Sequence, residues 1–206
     1  MTHGHAPPRI AYQGERGAFS ELAILRLCGE DAHPIACAEF GDVTHVVRTG
    51  DADFGMLPVH NSIAGPVQAS IDAIARDGLH VVLASEMPIR LCLLALPGST
   101  LQELRTVESH PVALRQCARF LAGLATVEAR SAYDTAGAAR LVSLSGDRTR
   151  AAVASARAGR VHGLVSLSEG IEDRADNVTR FVVVSREAEP QLPAVFDQSH
   201  RTTNLG

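Results

Sequence analysis

The chain of 206 residues has no lysine and no tryptophan. All 19 basic residues are arginine, which removes Schiff-base chemistry, a Walker-type phosphate lysine and lysine-linked cofactors. Aromatic residues make up only 4%, too few for a platform that stacks nucleobases. A formal charge of -4 argues against general binding to nucleic acid or to an anionic membrane surface. Cys28, Cys37, Cys92 and Cys117 form no C-x-x-C pair, and three of them lie in apolar segments. They read as reduced, buried thiols rather than a disulfide framework. No apolar run approaches the ~18 residues of a spanning helix, and the opening MTHGHAPPR has no apolar stretch of the signal-peptide kind. His3 and His5 are neighbours but one, yet neither H-E-x-x-H nor a Cys/His zinc spacing occurs, and G-x-S-x-G is missing. The expectation is a soluble cytoplasmic protein with no metal and no cofactor.

What is present is a foldable core. Hydrophobic residues reach 46% and charged ones 20%, enough for one domain or two small lobes. Between Arg9 and Glu187, short β-like runs alternate with helical ones, which predicts an α/β fold with mostly parallel strands. Leu114, Cys117, Ala118 and Leu121 recur at helical spacing and predict one continuous helix over 112–124; a short helix is also predicted at 101–104. The apolar stretch Leu79–Leu96 is broken by Glu86 and Pro88 and reads as two strands joined by a crossing segment. The chain would leave a first lobe (9–86 and 176–187) for a second (87–175), then return in the strand Phe181–Val184. Residues 1–8 read as a leader. Residues 188–206 lose periodicity and read as a flexible tail.

Five segments could carry chemistry. In YQGERGAFS (12–20), a strand ends, Gly14 and Gly17 flank a turn, and Ser20 lies in the first turn of a helix, an arrangement suited to an anion or to an ordinary tight turn. In residues 55–72, His60, Asn61 and Ser62 follow a strand end and offer a proton near neutral pH, an amide and a hydroxyl, or else a hydrogen-bonded turn. In VESHPVALRQC (107–117), Ser109 caps a helix that Pro111 opens, with Gln116 in its second turn. In YDTAGAA (133–139), Asp134 or Thr135 caps a helix of small residues. In NVTRFVVV (177–184), Asn177, Thr179 and Arg180 precede an apolar strand, and Arg180 could clamp a carboxylate.

Taken in this order, with AAVAS and HGL between the fourth and fifth, the segments resemble the catalytic domain of prephenate dehydratase over residues 9–187. The resemblance implies two α/β lobes similar to type-2 periplasmic binding proteins, a cleft between them, and conversion of prephenate to phenylpyruvate, carbon dioxide and water without metal or cofactor. It implies Thr179 as the hydroxyl facing the leaving group, with Asn61 and Gln116 as positioning amides. His60 stands where the family usually has Glu, and Val112 where it usually has Gln. His60, if protonated, would supply an acid. Ser62, Arg180, Ser20, Ser109, Thr135 and Phe181 complete the implied substrate site for a small dicarboxylate. The same motifs suit a divergent relative in specialised metabolism: a non-aromatising prephenate decarboxylase, or a dehydratase of an amino- or carboxy-substituted or isomeric prephenate. The ACT regulatory domain that commonly follows is not seen in the 206 residues, so the expectation is no phenylalanine feedback through an attached domain. A homodimer is the oligomer the family suggests.

Overall fold

A computed structural model describes residues 6–124 and 126–196. His3, His5, most of the expected leader (1–5) and the end of the expected tail (197–206) lie outside the described residues. The first half folds as β1 (Arg9–Gln13), α1 (Phe19–Cys28), β2 (His33–Cys37), α2 (Phe40–Thr49), β3 (Phe54–Asn61), β4 (Gly65–Pro66), α3 (Gln68–Arg76) and β5 (His80–Pro88). The second continues as β6 (Cys92–Ala95), β7 (Thr106–Ser109), α4 (Pro111–Gln116), α5 (Ala118–Ala122), β8 (Glu128–Ser131), α6 (Thr135–Ser145), β9 (Arg150–Ala154), α7 (Ala156–His162), β10 (Val165–Glu169) and β11 (Val178–Ser185). No helix among the described residues is long and apolar enough to cross a membrane.

Two sheets result. One has the order β2-β1-β3-β11-β5, with β4 on β3; the other runs β10-β6-β9-β7-β8. The chain crosses between them at 89–91 and returns at 170–177. This is the two-lobed α/β arrangement the sequence predicts. The strands are not mostly parallel, however. Pairs β1–β2, β1–β3, β7–β8 and β7–β9 are parallel, whereas β3–β11, β11–β5, β6–β9 and β6–β10 are antiparallel. The reason is the double crossing. β11 returns to the first sheet beside β5, the strand that left it, and the two run in opposite directions.

The predicted helix over 112–124 is two helices, broken at Cys117. The backbone N–H of Asp173 donates to the Gln116 carbonyl (2.6 Å), and the Asp173 carboxylate accepts from the Arg119 N–H that opens α5 (3.1 Å). Residues from the return crossing thus take over helix-end groups that a continuous helix would pair internally. Residues 101–104 form a turn rather than a helix. The described part of the 188–206 segment has no helix or strand, yet it does not trail free. Phe196 is buried and meets Phe54 edge-on, ring centres 5.2 Å apart, with Leu192 and Val195 packed on the same core.

That core runs through both lobes, from Ile10, Tyr12 and Ile24 to Leu93, Val107, Val142 and Val153. A second cluster on the other face of the first sheet joins Val43, Val47 and Ile74 of the helices to Leu57, Val182 and Val184. The lobes also touch at the turn after β1. Gly17 has φ +94°, and a Cβ there would lie 2.5 Å from the Ala158 Cα. Only glycine allows both that backbone conformation and that approach. Around it, Ser155 Oγ donates to the Gly17 carbonyl (2.6 Å) and Arg157 pairs with Glu21 (2.9 Å). Tyr133 Oη donates to Glu15 (2.7 Å), which Arg140 also reaches (3.1 Å).

Candidate active site

Three side-chain amides close a ring where the lobes meet. Asn61, at the end of β3, donates through Nδ2 to Asn177 Oδ1 (2.8 Å). Asn177 Nδ2 donates to Gln116 Oε1 (3.1 Å), and Gln116 Nε2 donates back to Asn61 Oδ1 (3.3 Å). Asn61 and Asn177 flank the first sheet, whereas Gln116 ends α4 in the second lobe. Asn61 and Asn177 are buried. Each amide both gives and takes, so the ring leaves no member short of a partner and polarises all three.

The orientation of Asn61 is fixed by the backbone. Its Oδ1 accepts from the N–H groups of Ile63 (3.1 Å) and Ala64 (2.8 Å), which only an oxygen can do. Its Nδ2 therefore faces the other way, onto Thr179 Oγ1 at 2.9 Å. An amide nitrogen donates and does not accept, so Thr179 is the acceptor in that bond. Its own proton must point elsewhere, and no described residue takes it. A hydroxyl that accepts one hydrogen bond is a stronger donor of the next.

Thr179, Asn61 and Gln116, singled out in the sequence, thus come together. Ser62 lies beside them in a structural role, with Oγ donating to the Asp176 carbonyl (2.7 Å) and accepting from the Val178 N–H (2.9 Å). It fastens the end of β3 to the start of β11. His60 and Arg180 pair with each other one position out of step with Asn61 and Thr179. Neighbouring strand residues alternate faces, so they project from the opposite side of the sheet, with Glu86 next in the row. Phe181 returns to the Thr179 face but is core. Ser109 is buried, donating to the Val153 carbonyl (2.6 Å). Ser20 is buried in α1, and the Gly17 N–H at that helix start is taken by Glu21 (2.6 Å). Asp134 rather than Thr135 caps α6, by accepting from the Gly137 N–H.

Asn177, named in the sequence beside Thr179 and Arg180 but given no role there, is the third member of the ring. Its signal was its spacing, two residues before Thr179, which on extended chain puts both side chains on one face.

The charged neighbours are tuned by burial. Burial, with help from Arg115, lowers the His110 value below the usual histidine range, while Asp134 acts against it. Neutral His110 is what α4 needs, since its Nδ1 accepts from the Val112 N–H (3.3 Å). Burial raises the Asp134 carboxyl. Burial also pushes the Cys117 thiol up to about 12, so it is no nucleophile near neutral pH. Glu21 is pushed up by burial but held below its usual range overall by Arg157 and the Gly17 N–H. Among the described residues no group of three or more His, Cys, Asp or Glu could hold a metal ion.

Fold and site define a two-lobed α/β protein with a ring of amides across the lobe junction and a hydroxyl held against it. Residues 10–189 match the family model described as prephenate dehydratase. Arogenate dehydratase 1 of Petunia hybrida is 42% identical over 95% of this chain and 45% of its own length. A solved prephenate dehydratase from Arthrobacter aurescens, in complex with L-Phe, superposes with a TM-score of 0.81 at 31% identity, covering 90% of this chain and 63% of that one. A structure described as GqqA, a novel type of quorum quenching acylase, gives a TM-score of 0.80 at 35% identity, covering 90% and 66%. The chain belongs to the prephenate dehydratase family. It spans less than half the length of the curated relatives it matches.

Proposed function

We propose that the chain catalyses the decarboxylating dehydration of prephenate to phenylpyruvate. The ring C–carboxylate bond breaks and its electron pair enters the ring. The C–O bond to the ring hydroxyl breaks and takes up a proton. Prephenate dianion plus one proton becomes phenylpyruvate, carbon dioxide and water. Aromatisation drives the reaction, so the protein has chiefly to orient the substrate and to meet charge on the departing oxygen.

The observation that carries this reading is the Thr179 hydroxyl, fixed as acceptor toward Asn61 and so left with a proton that no described residue takes. In the proposed mechanism that proton is donated as a hydrogen bond to the leaving oxygen. A threonine is too weak an acid to give it up outright, and the proton consumed comes ultimately from solvent. Gln116 and Asn177 hold Asn61 in place across the lobe junction.

The identity to Petunia arogenate dehydratase 1 favours a second substrate, arogenate, in which an amine replaces the side-chain ketone. The ring chemistry is the same and the product is phenylalanine. Incubation with each compound at neutral pH, followed by chromatographic identification of the product, tests both. Phenylpyruvate from prephenate supports the first reading and phenylalanine from arogenate the second; turnover of neither overturns the assignment. Cytoplasmic location and a homodimer belong to the same proposal. Light scattering would give twice the chain mass of 21.8 kDa for the dimer.

A further inference from the structure

A cavity of about 430 Å³ opens between α1 of the first lobe and α7 of the second. Its size falls within the ~300–1,000 Å³ usual for small-molecule sites. None of its lining residues belongs to the amide ring, although Met87 in its wall sits across from Thr179 on β11. Four arginines line it: Arg26, Arg90, Arg157 and Arg160. Two are already matched, Arg90 by Glu172 (2.7 Å) and Arg157 by Glu21 (2.9 Å). The Arg26 and Arg160 side chains make no hydrogen bond or ion pair with any described residue. The remaining charge in the lining is one carboxylate, Glu169.

The rest of the wall is apolar apart from Ser155, whose hydroxyl is already taken by the Gly17 carbonyl and the Ala158 N–H. Phe19 and Leu22 share one face of α1 with Arg26, at helical spacing, and Met87 and Pro88 come from β5. A purely inorganic anion would leave that apolar wall unmatched. A neutral aromatic would leave two guanidinium groups with only the single Glu169 carboxylate in the lining to offset them. We propose that this cavity binds a small aromatic carboxylate, with the ring against Phe19, Leu22 and Met87 and the carboxylate between Arg26 and Arg160. A planar carboxylate suits the guanidinium fork. Because the two arginines come from different lobes, the ligand would bridge them.

Calorimetric titration with 3-phenylpropionate tests this. The expected result is saturable binding that weakens at least tenfold in the Arg26→Gln, Arg160→Gln double variant and persists in Gln116→Ala. Inorganic phosphate at equal concentration should not displace the probe. The double variant should turn over the substrate of the wild-type chain at an unchanged rate. No binding overturns the proposal. So does binding that survives loss of both arginines but is lost in Gln116→Ala, which would place the probe at the amide ring. Displacement by phosphate would reduce the cavity to an unselective anion patch and also overturn it. Failure on any of these counts leaves the dehydratase reading standing.

Discussion

At the scale of single residues, direction matters more than proximity. Asn61 touches Thr179 as a donor, and the proposed chemistry depends on that sense. Asn61→Asp keeps the shape but puts an acceptor against Thr179 Oγ1, drawing the hydroxyl proton inward. The expected outcome is a fall in kcat of about 10²–10³-fold, the size seen when one transition-state donor is removed, with KM little changed. Steady-state kinetics on the variant checks it. The sequence motifs made Thr179, Asn61 and Gln116 legible, because their order along the chain is distinctive. They did not show that His60 and Arg180 project from the other face. That depends on cross-strand register, which adjacency in sequence cannot give.

At the scale of elements, alternation of short apolar runs between Arg9 and Glu187 made the α/β class legible, because burial imposes period on the sequence. The break at Cys117 was invisible, since its cause lies 56 residues on, at Asp173. The short helix α4 matters most, because it carries Gln116. Its first turn is held by His110 Nδ1. The His110 value is lowered in the fold, so its contribution is complete above the ordinary histidine range of ~6.5 and is lost as pH falls through the lower folded value. Turnover should therefore show an acidic limb below that range, and His110→Asn, which caps without titrating, should flatten it. A pH–rate profile of both proteins decides. The C-terminal segment is also more than a loop. Phe196→Ala removes a buried ring and should cost about 3–5 kcal/mol of stability, read by denaturant unfolding.

At the scale of the whole molecule, the two lobes act as one body because a shared core, the Gly17 seam and the amide ring all cross between them. Lobes and cleft could be expected from the apolar crossing near residue 86; the closeness of the seam could not, since glycine in a turn has cheaper explanations. Gly17→Ala demands a Cβ 2.5 Å from Ala158 Cα at a φ of +94°. It should force the lobes apart, lower the melting temperature and, by loosening Gln116 from Asn61, lower turnover. Scanning calorimetry beside an activity assay would show both losses together. The central claim remains that the Thr179 hydroxyl, held by a ring that spans both lobes, meets the departing oxygen. It is tested most directly by comparing Thr179→Ser with Thr179→Val on prephenate. The account predicts that serine retains most of the phenylpyruvate formation while valine, similar in shape but without a hydroxyl, loses about 10²-fold or more. A valine variant that works at the wild-type rate would contradict it.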